Sequence, residues 1–168
     1  VSLCGLGRAY ADHGELERAR AILDEARALG RAVGRSPEGH VMLVQAHVAL
    51  EANDLSSAAA LYAETRAIAE STGNRALVAY VMHGQGCIAL ARNDLAGARA
   101  VLEEGLALAR ALSLSSARTG TLLELAEVHR RTGDLASADR HITEALEGAP
   151  GENEGHLLVT GLEARAAI

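Results

Sequence analysis

His83 and Cys87 are the residues in which chemistry would be sought first. They stand four positions apart, so a helix would carry an imidazole and a thiol on one face. Two chemistries suit that pair. One is a zinc or copper ion, which takes imidazole nitrogen and thiolate sulfur. The other is a thiol nucleophile activated by an adjacent base, but no third group or oxyanion donor is evident nearby. The only other cysteine, Cys4, forms no clustered metal motif with it, and the pair gives no disulfide framework. Glu103 and Glu104 pair two carboxylates on what reads as a solvated helix surface. Gly84-Gln85-Gly86 superficially resembles a nucleotide loop, but no strand pattern precedes it and it falls mid-helix, where helix packing accounts for it. There is no glycine-rich phosphate loop, zinc-protease helix or cysteine-pair motif. The expectation is a non-enzyme with no cofactor and no bound metal.

Composition says what must hold these residues in place. The 168 residues include no Phe, no Trp and three Tyr, while Ala makes up about a fifth of the chain. A core poor in aromatic volume must bury small side chains between closely approaching backbones. Ala, Leu, Arg and Glu are all good helix formers. The composition therefore predicts an all-α fold with thin helix–helix interfaces. All sixteen basic residues are Arg, and the net charge is −6, which disfavours an extended phosphate-binding surface and hence nucleic acid as a partner. No apolar run reaches the length of a membrane span, and no signal peptide is evident. Free thiols fit a reducing cytoplasm. The chain begins at Val1, already inside a periodic pattern, which suggests a fragment of a longer protein.

The pattern is a repeat. Gly14-Glu15-Leu16, Asn53-Asp54-Leu55, Asn93-Asp94-Leu95 and Gly133-Asp134-Leu135 align at spacings of 39, 40 and 40 residues. Gly or Asn tolerates the left-handed conformation that ends a helix. The acidic residue suits the N-terminal end of the next helix. Each turn is thus expected to join two antiparallel helices. Five residues after each Gly or Asn stands Ala19, Ala58, Ala98 or Ala138. Nine after it stands Leu23, Tyr62, Leu102 or Ile142, and twelve after it a small residue, Ala26, Thr65, Gly105 or Ala145. Seven before it is Gly7, Ala46, Gly86 or Ala126, and eleven before it Leu3, Met42, Met82 or Leu122. These offsets lie on one helix face, and their small members let helices approach closely.

The pattern resembles the tetratricopeptide repeat. Leu3, Leu6, Gly7, Tyr10, Ala19, Leu23 and Ala26 match the family motif nearly position by position in the first copy. Later copies depart from it: Tyr10 becomes Ala49, Ala89 and His129, Leu6 becomes Gln45 and Gln85, and the period is near 40 instead of 34. The resemblance implies a right-handed superhelical solenoid of antiparallel helix pairs. The expected repeats run about 1–35, 36–73, 74–113 and 114–148, forming one repeat domain over 1–168, with a further helix at 152–168. Helix pairs are expected at about 2–13 with 15–33, 38–52 with 54–72, 75–92 with 94–112, and 116–132 with 134–147. Pro37 and Pro150 fall between repeats, where they break no helix.

In this family the first helix of each repeat lines the concave surface. Transferred by helical phase, that places Arg8, His40, Leu43, His47, Leu50, Tyr80, His83, Cys87, Leu90, Glu127 and Arg130 on the inner face. His47 would then approach His83 and Cys87 from the neighbouring helix. The outward positions of second helices, such as Glu17, Arg20, Arg99 and Glu103, would form an ordinary charged surface. Repeats of this length resemble those of large bacterial signalling and transcription regulators. The resemblance implies a non-catalytic protein- or peptide-binding scaffold, the sensor or assembly domain of a larger regulator. The alternative is an intracellular receptor for a small peptide or metabolite held in the groove. Self-association is left open.

Overall fold

A computed structural model describes residues 2–32 and 38–148. The described residues form eight helices and no strand: α1 (Leu3–Asp12), α2 (Leu16–Ala32), α3 (Glu38–Glu51), α4 (Leu55–Ser71), α5 (Arg75–Ala91), α6 (Leu95–Ala111), α7 (Ser115–Thr132) and α8 (Leu135–Glu147). The four aligned turns interrupt the helices where expected. The expected helix at 152–168 and both prolines lie outside the described residues.

The turns follow one backbone rule. Gly14, Asn53, Asn93 and Gly133 have φ of 76, 58, 60 and 82°, the left-handed region. The next residue donates its N–H back into the finished helix: Glu15 to Tyr10, Asp54 to Ala49, Asp94 to Ala89 and Asp134 to His129, at 2.8–2.9 Å. The left-handed residue donates to the carbonyl three before it, as Gly14 does to Ala11 at 2.7 Å. Two carbonyls left open at each helix end are so satisfied. The acidic residue then caps the next helix. Asp54, Asp94 and Asp134 accept the N–H of Ser57, Gly97 and Ser137 at 2.9–3.1 Å.

The same device joins successive helix pairs, where the sequence shows no such signature. Gly73 and Ser113 also have positive φ, 65 and 55°. Asn74 donates to Ala69 and Leu114 to Ala109, at 2.8 and 2.9 Å. From Asn53 onward the left-handed residues fall at 53, 73, 93, 113 and 133. Each helix with its turn therefore takes twenty residues, and the near-40 period is two equal halves. Longer helices absorb the excess over 34: α4, α5 and α6 have 17 residues each, joined by three-residue turns.

The chain divides into two compact units, residues 1–84 and 85–168. In the first, α1 packs on α2, α2 on α3 and α3 on α4, and α1 also touches α3. Its core includes Ala11, Ala19, Leu23, Ala26, Val41, Val44 and Val48. In the second, α6 packs on α7 and α7 on α8. Leu90, Ala98, Leu102, Leu106, Leu122, Leu125 and Val128 share one core, and Ala126, Ala138 and Ile142 another. The four alanines five residues past each turn, Ala19, Ala58, Ala98 and Ala138, are wholly buried. The large residues nine past each turn are equally enclosed, with Leu23, Tyr62, Leu102 and Ile142 at most 1% exposed. The small residue of the first helix receives the large one of the second. A Cβ added at Gly7 would lie 2.7 Å from Leu23 Cγ, and one at Gly86 would lie 2.3 Å from Leu102 Cδ2.

Candidate functional site

In the first unit the candidate residues come from α1, α3 and α5. α1 touches α3, and α3 meets α5 where a small residue faces a large one. Gly39 on α3 faces Leu77 of α5, close enough that an added Cβ would meet Leu77 Cδ2 at 2.6 Å. His47 of α3 and His83 of α5 stack with ring centroids 6.5 Å apart and planes inclined by 30°. Behind them stands Tyr62 of α4, whose hydroxyl lies 3.3 Å from His47 Nδ1. Tyr62 reaches that position past Gly84. A Cβ there would sit 2.1 Å from Tyr62 Cζ, so the glycine is a steric requirement for the buried tyrosine. His47, His83, Leu43, Leu50 and Tyr80 are half-buried, and Arg8 and His40 are exposed.

Burial and neighbouring charges shift three titratable groups near this face. Burial, with the His47 ring and the Arg8 guanidinium beside it, lowers His83 to a pKa of about 4. His83 is therefore a neutral hydrogen-bonding group at ordinary pH. Burial raises Cys4, against the opposing pull of Arg8, and its thiol points to the His40 carbonyl at 3.9 Å. Glu51 is raised by burial and by Asp12, again opposed by Arg8. One exposed arginine thus influences groups on α1, α3 and α5.

In the second unit Cys87 of α5 and Glu124 of α7 form a pair. Burial and the Glu124 carboxylate push the Cys87 thiol well above its ordinary value. The Glu124 carboxyl is itself raised, first by burial and then by Glu127. A thiol held protonated is a poor nucleophile and a poor metal ligand without prior ionisation. Glu127 is the opposite case. Arg130 and Arg131 clasp it at 2.6 Å each and lower its pKa, so it stays ionised. Arg131 also donates to the Leu90 carbonyl at 3.2 Å, joining α7 to α5. Leu90 itself departs from its expected place on an open face. It is 4% exposed and packs among Leu102, Leu122 and Leu125, because its side chain turns into the interior of the unit. Glu127 is half-buried and Arg130 exposed.

Glu124 was absent from the sequence-level candidates. Its signal was weak but present: it lies three residues before Glu127, on the same side of α7. The second helices carry different chemistry. Arg27 of α2 pairs with Glu64 of α4 at 3.0 Å, and Arg110 of α6 pairs with Glu144 of α8 at 2.5 Å. Arg99 and Glu103 pair one turn apart, and Arg20 with Glu17 likewise. These are ordinary surface ion pairs.

Among the described residues no helix is long and apolar enough to cross a membrane. No curated protein matches the chain. Residues 1–36 match the family model described as Tetratricopeptide repeat. The matched stretch contains α1, its turn and α2. The later helix pairs reuse its turn and its small-into-large packing. Match and fold together support a tetratricopeptide-repeat assignment, a family whose repeats serve as scaffolds for protein–protein interaction.

Proposed function

We propose that the chain is a non-catalytic recognition module whose first helices hold a segment of a partner protein. The carrying observation is the face built by α1, α3 and α5. There Leu43 and Leu50 offer half-buried apolar surface, and His47 and His83 add hydrogen-bonding imidazoles, that of His83 uncharged at ordinary pH. Exposed Arg8 stands at its α1 side. Such a mixture of apolar anchors with a few fixed polar groups is the usual make-up of a recognition surface. It suits a peptide or helix with apolar side chains and an acidic group to meet Arg8. In the second unit, Glu127 and Arg130 would supply polar contacts of the same kind. The chain would act as the sensor or assembly domain of a larger bacterial regulator, a reading that rests on the length and composition of its repeats. A cytoplasmic setting accords with two free thiols and the lack of a disulfide between them.

The test uses peptides selected from a random display library against the whole chain, with affinities measured by calorimetry. Leu43→Glu and Arg8→Glu should each weaken the selected peptides at least about tenfold, a loss of about 1.4 kcal/mol. Arg20→Glu and Arg99→Glu, on the second helices, should leave affinity unchanged. Loss with the second pair and none with the first would move recognition to the other side of the repeats.

A further inference from the structure

The α7–α8 hairpin holds a second pair of imidazoles, apart from the recognition face. His129 of α7 and His141 of α8 approach with ring centroids 5.1 Å apart, planes tilted by 44°. His129 is 7% exposed. Its Nδ1 lies 3.3 Å from Asp134 Oδ2, the carboxylate that caps α8 through the Ser137 N–H. His141 is half-buried, and its Nδ1 is enclosed with no hydrogen-bond partner. A neutral imidazole tolerates that arrangement, because the bare nitrogen is only an unused acceptor. A charged imidazole does not, since it must place an N–H there with nothing to accept it.

We propose that this histidine pair makes the α7–α8 hairpin a pH-sensitive element: it closes with His141 neutral and loosens when His141 takes a proton. Every charged group facing His141 bears on the outcome. From α7, a proton on His129 repels one on His141 at this distance. From α8, Arg140 opposes charging and Glu144 favours it. From α6, Arg110 opposes it as well, and Arg110 also engages Glu144 at 2.5 and 2.7 Å, which reduces the help that carboxylate can give. Burial is the first-ranked cause of the lowered affinity of His141 for its proton. A closed hairpin that binds a proton more weakly than the open one must open more readily as pH falls through the histidine range. Opening would uncover Ala126, Ala138 and Ile142, which make one small core between the two helices.

The experiment is amide hydrogen exchange of the whole chain across pH 7.5 to 5, read as protection factors corrected for intrinsic rates, beside an NMR titration of the histidine ring protons. Protection of the α8 amides should fall by up to about tenfold per pH unit below pH 6.5, the limit for one coupled proton. The same α8 amides in His141→Gln serve as the comparison at each pH. His141→Gln, uncharged and close in size, should flatten the α8 response. His129→Gln should raise the titration midpoint of His141. Should His141→Gln fail to fold, the wild-type titration still decides: a midpoint for His141 at or above 6.5 overturns the proposal. So does an α8 response identical in wild type and His141→Gln.

Discussion

At the scale of single residues, the fold is governed by where a side chain is absent. Gly84 stands where the buried Tyr62 ring passes, and a Cβ would meet three ring or hydroxyl atoms within 2.4 Å. Tyr62 is 1% exposed and has no room to swing outward. Gly84→Ala should therefore destabilise the chain by about 1–3 kcal/mol, the usual cost of overpacking, even though alanine is the better helix former. Urea unfolding measures it, and a variant as stable as wild type would show that Tyr62 can yield. His83 makes the second residue-scale prediction. Its folded pKa of about 4 lies below the ordinary histidine value. The unfolded chain therefore binds the proton more tightly. The stabilisation from a neutral His83 is fully present above pH 6.5 and is lost as pH falls toward 4, by up to about 3 kcal/mol. Urea unfolding of wild type and His83→Gln at pH 7.5 and 4.5 isolates this contribution. The difference between the two proteins should change in favour of the variant at the lower pH. A difference independent of pH would show that the imidazole titrates normally.

At the scale of elements, a single turn geometry recurs six times among the described residues, but only four copies were legible from sequence. The four carry Gly or Asn followed by an acidic residue and Leu, and each type has a distinct physical task there. Gly73 is followed by Asn74, which caps α5 by accepting the Leu77 N–H at 3.1 Å, so the same task is met by a different residue. At Ser113 the turn has neither glycine nor a side-chain cap, since Leu114 holds the capping position. Nothing local marks that turn, and what enforces it is the packing of α6 against α7. An L residue with a Cβ is strained at φ of 55°. Ser113→Gly should thus stabilise the chain by about 0.5–1 kcal/mol, the strain relieved exceeding the added freedom of the unfolded chain. Gly133→Ala, at φ of 82°, should do the reverse by about 1 kcal/mol. Thermal melts of both variants check the pair, and shifts of equal sign would refute the account. Helix phase was more legible than turn chemistry, because burial at offsets of five and nine residues depends on spacing alone. Leu90 shows the limit of that reasoning. Helical phase alone puts it with the candidate face, but its side chain is buried where neighbouring leucines offer a core.

At the scale of the whole molecule, both units use the same division of labour between small apolar contacts and charges. Second helices are linked by ion pairs near the surface: Arg27 with Glu64 in one unit and Arg110 with Glu144 in the other. First and second helices are linked by buried alanines and by leucines seated on glycines. The repeat fixes which residues share a helix side, so a candidate face can be written from sequence as a set of positions. Its chemistry cannot. That His83 is neutral, that Cys87 meets a raised Glu124, and that Glu127 is clasped by two arginines depend on tertiary neighbours that a lone sequence does not place. The division of labour makes a prediction that separates its two parts. The Arg110 and Glu144 side chains are each more than two-fifths exposed, so their attraction is screened by water and by salt. Glu144→Gln should cost under about 1 kcal/mol in dilute buffer, and the cost should vanish near 1 M salt. Ala98 has no exposed surface, and the helix across from it cannot withdraw without opening the leucine core around Leu102 and Leu122. Ala98→Leu should cost about 1–3 kcal/mol at either salt concentration. Urea unfolding of the two variants at low and high salt distinguishes the contributions. A large, salt-sensitive loss for Glu144→Gln with a small one for Ala98→Leu would mean that charge, and not close backbone approach, holds these repeats together.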